Sequence, residues 1–203
     1  MHRVGIMGGT FDPIHYGHLA AAEMARVEFS LEKVIFIPTG ISPHKDQREI
    51  TEAEVRCAMV ARAIEDNEHF VLSRIELERR GPSYTVETLE ELAENHPDWE
   101  MYFITGADAF QQIFTWREPH EILELAHVIG VSRPGFERSG AFLEHVSTDR
   151  KIDANKVHFI EIPALAISST DIRQRVVKGQ TIRYLLPETV RQMILEKELY
   201  TTR

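Results

Sequence analysis

The chain has 203 residues, 43% hydrophobic and 27% charged, an ordinary globular composition with length enough for one sizeable core. A formal net charge of −9 argues against a broad DNA or RNA footprint, but it leaves room for a small anionic ligand that responds to local charge. One cysteine, Cys57, rules out an internal disulfide and fits a reducing compartment. With no apolar run near the ~18 residues of a membrane span, and an N-terminal apolar stretch too short for a signal core, the expected location is the cytoplasm.

Apolar runs alternate with helical patterns along the chain. Val4–Met7 reads as a buried strand, and Leu19–Phe29 as a helix with Leu19, Met24 and Val27 among its apolar positions. Lys33–Pro38 is a second strand, stopped by proline. Thr51 opens a helix as Thr51-x-x-Glu54, with Ile50 and Val55 placed as a hydrophobic staple. Cys57 sits inside this helix's apolar pattern and reads as core. Phe70–Leu77 is one strand or two short ones, "TVETLEELAENH" a helix, and Met101–Thr105 a strand followed by the helix "GADAFQQIF". His127–Arg133 and Val157–Ile162 are further strands. Ser168–Lys178 and Glu188–Leu199 are the last helices. The least periodic part, Pro134 to Asn155, reads as a surface insertion with some helix. Strands separated by helices predict an α/β fold in one domain: a Rossmann-like parallel sheet with helices on both faces. Such a sheet binds ligands beyond the carboxyl ends of its strands.

The chemistry concentrates in "GGTFDPIHYGH", Gly8 to His18. Gly8 and Gly9 stand at a strand's carboxyl end, where glycine lets backbone approach a ligand closely. Thr10 adds a hydroxyl, Asp12-Pro13 bends the chain, and a helix begins around His15 to His18. A helix N-terminus offers free N–H groups and a dipole that favours anions, and two imidazoles add donors that can become cationic. Phosphate is the ligand that uses all of this. His-x-x-His also invites a zinc reading, but no third ligand stands at a familiar spacing. A second element, "AISSTDIRQRVVKG" (Ala166–Gly179), is on its own a capping box, Ser168-x-x-Asp171, stapled by Ile167 and Ile172.

The first string resembles the signature of the His-x-Gly-His nucleotidyltransferases, and the second resembles their Ile-Ser-Ser-Thr-x-Ile-Arg element. "ERRGPSYTVETLEEL", "TGADAFQQIFTWREPHEIL" and "GVSRPG" together resemble bacterial nicotinate-nucleotide adenylyltransferases, so the likeness covers nearly the whole chain except the segment after Gly135. One departure is Ser42 in "ISPHK", where the family often has proline. The resemblance implies a nucleotidyltransferase-type fold and transfer of the adenylyl group of ATP to the 5′-phosphate of nicotinate mononucleotide. The products would be deamido-NAD and pyrophosphate, a step in NAD biosynthesis. By the same likeness, His15, His18, Lys45 and Arg173 serve the reacting phosphates. Gly8, Gly9, Thr10, Phe11, Gly106, Asp108, Arg133, Ser168, Ser169 and Thr170 hold ATP, and His44, Tyr84, Thr85 and Trp116 hold the acceptor. Trp116 would stack on the pyridine ring, and backbone N–H groups around Tyr84 and Thr85 would receive its carboxylate; the plain alternative for Trp116 is a half-buried core aromatic. Without the motif, Asp108 reads as a helix-start carboxylate and Arg133 as a solvated surface arginine.

A phosphate monoester is largely dianionic near neutral pH and needs no general base, so the expected mechanism is alignment plus charge stabilisation without a covalent intermediate. No motif supplies a magnesium cage, so Mg²⁺ is expected to arrive with ATP, and no protein metal site is expected. Base rate and family analogy suggest a homodimer, and the acidic balance and the lack of a long apolar run lead to the expectation of no nucleic-acid or membrane partner. Other readings are a pantetheine-phosphate adenylyltransferase, a relative of the class I aminoacyl-tRNA synthetase core, and a non-catalytic nucleotide-binding regulator.

Overall fold

The computed structural model describes residues 1–42, 50–137, 139–163 and 166–201. Six strands form one sheet: β1 (His2–Gly9), β2 (Lys33–Pro38), β3 (Phe70–Leu72), β4 (Trp99–Gly106), β5 (Ala126–Ser132) and β6 (Val157–Glu161), in the order β3-β2-β1-β4-β5-β6. The pairs β1–β4, β4–β5 and β5–β6 are parallel. The order reverses direction at β1. The helices are α1 (Tyr16–Glu28), α2 (Ala53–Ile64), α3 (Ile75–Glu78), α4 (Thr85–Asn95), α5 (Ala107–Phe110), α6 (Pro119–Leu125), α7 (Gly140–Thr148), α8 (Ser169–Val177) and α9 (Glu188–Glu196).

By their contacts the residues fall into two compact units. The first holds residues 1–8, 21–34 and 84–164. Its core is the parallel ladder, where Ile6 pairs with Phe103 and Phe103 with Val128. Val4, Ile104, Val128 and Ile129 are completely buried there. The second unit holds residues 9–20, 35–83 and 165–203. Phe36 and Ile37 from β2, Met59 and Val60 from α2, and Val190 and Ile194 from α9 make its core. α9 packs on α2, and Thr189 Oγ1 donates to Arg62 O across that contact at 3.0 Å.

Several local expectations need correction. α1 buries Ala21, Ala22 and Ala25, whereas Met24 and Val27 are 42% and 61% exposed. Ala25 lies one turn on from the adjacent Ala21 and Ala22, and their small side chains let the helix approach its neighbours closely. The helix after Thr51 starts at Ala53 with Glu52 at its cap and no side-chain cap bond. The expected box is absent because its members are engaged elsewhere. The Glu54 carboxylate pairs with Arg74 at 2.6 Å, and Thr51 is buried, its N–H on Asp12 Oδ2 and its hydroxyl on Tyr200. Phe70–Leu77 is strand only through Leu72. Ser73 N–H closes the edge on Phe36 O, its hydroxyl accepts from Ile75 N–H, and α3 follows. The helix expected over "GADAFQQIF" breaks into α5 and a 3₁₀ turn at Ile113–Thr115, and α6 was not anticipated; its signal was Pro119 at the first helical turn. α9 ends at Glu196 rather than Leu199.

Candidate functional site

In the second unit, the chain leaving β1 passes through Gly9, Thr10, Phe11, Asp12 and Pro13 into α1. Phe11 has φ 48°, a left-handed conformation that costs a bulky residue roughly 1–2 kcal/mol. Burial of its ring, 2% exposed and packed against Phe36 and edge-on to His18, offsets that cost by about 2–3 kcal/mol. Gly9 is glycine because a Cβ there would lie 3.1 Å from the Phe11 ring. Gly8, at the end of the first unit's β1, is different. It is exposed, and a Cβ there would meet only Phe103, at an ordinary 3.6 Å.

The spacing His15-x-Gly17-His18 has a steric cause. The His15 ring folds over Gly17, where a Cβ would stand 3.0 Å from its Cε1 and Nδ1. His18, three residues on, stacks on His15 with ring centroids 3.8 Å apart. His15 N–H donates to His18 Nδ1 at 3.3 Å, which leaves the proton of neutral His18 on Nε2. His15 is buried and its Nδ1 has no hydrogen-bond partner among the described residues. Burial disfavours its cation and pulls its pKa down from 6.5 to about 4, so this imidazole is neutral at pH 7, which corrects the expectation of two chargeable histidines.

A stability prediction follows for His15. The folded protein takes up this proton only near pH 4, whereas the unfolded chain takes it up near 6.5. Between those values the unfolded chain holds more protons, so falling pH destabilises the fold, by up to on the order of 3 kcal/mol for this one group. Denaturant unfolding of wild type and His15→Gln from pH 7 to pH 4 measures it. The wild type should lose more stability than the variant over that window, and equal losses would show that His15 titrates normally.

Two charged clusters fix the loop after β1. Arg56 of α2 is 1% exposed, and its guanidinium donates to Thr51 O, Thr10 O and Thr39 O at 2.8, 2.7 and 2.6 Å. Desolvation pulls its pKa down while the Asp12 carboxylate opposes that shift. Asp12 is itself buried. Its Oδ1 accepts from the Tyr200 hydroxyl at 2.7 Å, and burial, then Asp12, drives that phenol's pKa far up. Sequence reading missed both partners. Arg56 left one signal, a lone charge inside the apolar helical run "VRCAMV"; Tyr200 left none. Cys57 beside it is buried and its thiol pKa is raised by burial, as a core residue's would be.

The second signature lands on the first. Ser168 caps α8, its hydroxyl accepting from Asp171 N–H at 3.1 Å; the Asp171 carboxylate turns to Arg175, so the box is only half formed. Ser169 Oγ donates to Pro13 O at 2.9 Å, and Arg173 Nη1 donates to Asp12 O at 2.7 Å, with Nη2 near Thr170 Oγ1. Thus Thr10, Phe11, His15, His18, Ser168, Ser169, Thr170 and Arg173 are gathered around one turn and two helix N-termini. His44 and Lys45 lie outside the described residues.

The first unit gathers the others in two groups. The pairing of Thr105 with Gly130 and of Gly106 with Val131 brings the carboxyl ends of β4 and β5 level. Gly106 caps α5 there, Asp108 is exposed in its first turn, and exposed Arg133 follows β5 directly. Elsewhere in this unit, Tyr84 caps α4 with no side-chain cap bond, and Thr85 is its first residue. The first intrahelical bond there runs from Thr88 N–H to Tyr84 O, so the N–H groups of Thr85 and Val86 have no acceptor inside the helix. Arg117 covers the Tyr84 ring at 4.6 Å and pairs with Glu87 at 2.7 Å, and thereby ties Trp116, its neighbour in sequence, to that helix start. Trp116 is half-buried, edge-on to Phe103. No group of three metal-ligating side chains occurs among the described residues of the second unit.

A family model described as cytidylyltransferase-like matches residues 6–175. Curated relatives named "Probable nicotinate-nucleotide adenylyltransferase" include one from Desulfitobacterium hafniense (strain Y51), 59% identical over 98% of this chain and 95% of that protein. Another, from Moorella thermoacetica, is 49% identical over 99% of this chain and 93% of that protein. Among solved structures, Plasmodium falciparum nicotinic acid mononucleotide adenylyltransferase complexed with NaAD superposes with a TM-score of 0.82 at 23% identity, covering 100% of this chain and 99% of that one, a likeness of fold. No described helix is long and apolar enough to cross a membrane. Family match and near-full-length identity run through both signatures and the segments between them, and on that ground the chain belongs to the nicotinate-nucleotide adenylyltransferases, within the cytidylyltransferase-like nucleotidyltransferases.

Proposed function

We propose that the chain, acting as one domain, transfers the adenylyl group of ATP to the 5′-phosphate of nicotinate mononucleotide and releases pyrophosphate and deamido-NAD. The observation that carries the reading is the joining of the two signatures, with Ser169 and Arg173 of α8 bonded to the carbonyls of Pro13 and Asp12. That contact sets two helix N-termini and two imidazoles around one turn, the arrangement an oligophosphate needs. A phosphate oxygen of the mononucleotide attacks the α-phosphorus as the bond to the β-phosphate oxygen breaks, and that electron pair leaves with pyrophosphate. His18 donates from Nε2 to the α-phosphate, and neutral His15 holds the His18 ring in place by stacking. Thr10, Phe11, half-buried Gly9 and exposed Gly8 receive the nucleotide's phosphates along their backbone. Thr170, Arg173 and the α8 start that Ser168 and Ser169 fix take the β- and γ-phosphates, with Lys45 adding charge. Gly106, Asp108 and Arg133 hold the adenosine; His44, Tyr84, Thr85 and Trp116 hold the acceptor.

Mg²⁺ neutralises phosphate charge when bound. Among the described residues near the two signatures, the Asp12 carboxylate is engaged by Thr51 and Tyr200 and the Asp171 carboxylate by Arg175, so those residues offer no magnesium cage. The ion then enters on ATP.

The test is pyrophosphate release from ATP and Mg²⁺ with a panel of acceptors. Release should require nicotinate mononucleotide. Rapid release with phosphopantetheine and none with the mononucleotide would favour the pantetheine-phosphate reading, and silence with every acceptor would favour a non-catalytic regulator.

A further inference from the structure

The segment after β5 meets α6 in a side-chain cluster that the proposed transfer reaction does not use. His145 and Asp149 stand four residues apart on α7 and its C-terminal cap, on one face of the helix. His120 comes from the first turn of α6. One ligand atom from each of the three lies within 4.8 Å of the others, and no other such trio occurs among the described residues. His120 Nε2 is 2.7 Å from Asp149 Oδ2, and His145 Nε2 is 3.6 Å from the same oxygen. All three belong to the first unit.

We propose that His120, His145 and Asp149 bind a divalent transition-metal ion of the zinc class, which ties α6 to α7. Two imidazole nitrogens and one carboxylate oxygen form a donor set suited to zinc and its late first-row neighbours, and poorly suited to magnesium. In a tetrahedral site with metal–ligand bonds of about 2.0–2.1 Å, neighbouring donors stand roughly 3.3 Å apart. The two separations to Asp149, 2.7 and 3.6 Å, bracket that value, and the histidine nitrogens lie within 4.8 Å of each other, so small side-chain rotations open the site. The bound ion takes the place of the shared proton between His120 and Asp149, and that proton moves to Nδ1 of the neutral His120 ring.

The surroundings hold the ligands in position. Asp149 Oδ1 accepts from Lys151 N–H at 2.9 Å, which turns Oδ2 toward both histidines. The Phe114 ring packs on His145 with centroids 4.0 Å apart. Such outer partners commonly fix metal ligands. The His145 side chain is 47% exposed, so water can reach the fourth position.

The whole protein, stripped with a chelator and dialysed, is titrated with Zn²⁺ by calorimetry and with Co²⁺ by visible absorption. One equivalent should bind, and cobalt should develop the intense bands of a four-coordinate site. At a hundredfold excess of free ion over Kd, the melting temperature should rise by roughly 5–10 °C. Loss of an outer partner alone costs a metal site about 10–100-fold in affinity, so His145→Ala and His120→Ala should each exceed a hundredfold. Both variants should keep their adenylyl-transfer activity, which separates this site from the reaction. No saturable binding, a pale six-coordinate cobalt spectrum, or unchanged affinity in both variants would overturn the proposal and leave the trio as an ion-paired contact.

Discussion

Wild-type enzyme should prefer nicotinate over nicotinamide mononucleotide by roughly two to four powers of ten in kcat/KM. The two acceptors differ only in a carboxylate against a carboxamide. The proposed receptor is the start of α4, where Tyr84 leaves the first-turn N–H groups without a side-chain cap. A carboxylate oxygen accepts from such donors in any orientation. A carboxamide turns its own NH₂ on one of them or leaves one unpaired, at about 1–3 kcal/mol for each buried group, and it lacks the added strength of a charged acceptor. Arg117 stands close by, but Glu87 pairs with it, so its charge is largely spent and the N–H groups decide the preference. In the proposed site Trp116 stacks on either ring. Trp116→Ala should therefore weaken both acceptors and leave most of their ratio unchanged. Steady-state kinetics with both acceptors, in wild type and variant, tests the scheme. Equal use of acid and amide removes the carboxylate site, and a variant that loses only the preference assigns orientation of the carboxylate to Trp116.

The second large effect belongs to His18. His18→Ala should slow adenylyl transfer by about 10²–10³, the usual cost of one preorganised donor to a developing charge. The hydrogen bond from His15 N–H to His18 Nδ1 orients the ring and sets its tautomer before substrate arrives. The fold should survive, because the substitution forfeits one edge contact with Phe11, one stack with His15 and the long hydrogen bond from His15 N–H, each worth about 0.5–1.5 kcal/mol. Single-turnover measurement isolates the chemical step, and circular dichroism checks the fold. A near-normal single-turnover rate would reduce His18 to a structural residue at the start of α1.

The sequence by itself determined the α/β class, the strand-helix alternation and the family, since each rests on short-range pattern. Lys33–Pro38 matches β2 residue for residue because a β-rich run ended by proline needs no tertiary help. Ser168 was readable as a cap for the same reason: the bond it makes is three residues long. Where the chain offered two local choices, long-range contacts chose. Thr51 and Glu54 form a capping box on paper, yet Asp12, Tyr200 and Arg74 claim them. Met24 and Val27 look like the inner face of α1 by hydrophobicity, yet alanines take it, because close approach rewards small volume over apolar area. Arg56 reads only as a lone charge in an apolar helical run, and the tertiary structure alone shows it at the meeting of four carbonyls, with a bare guanidinium too costly to bury otherwise. His15 and His18 were named from their motif, but the neutrality of His15 comes from burial that no spacing encodes. The convergence of His120 on His145 and Asp149 is of the same kind, since a local pattern cannot register which distant side chains will meet.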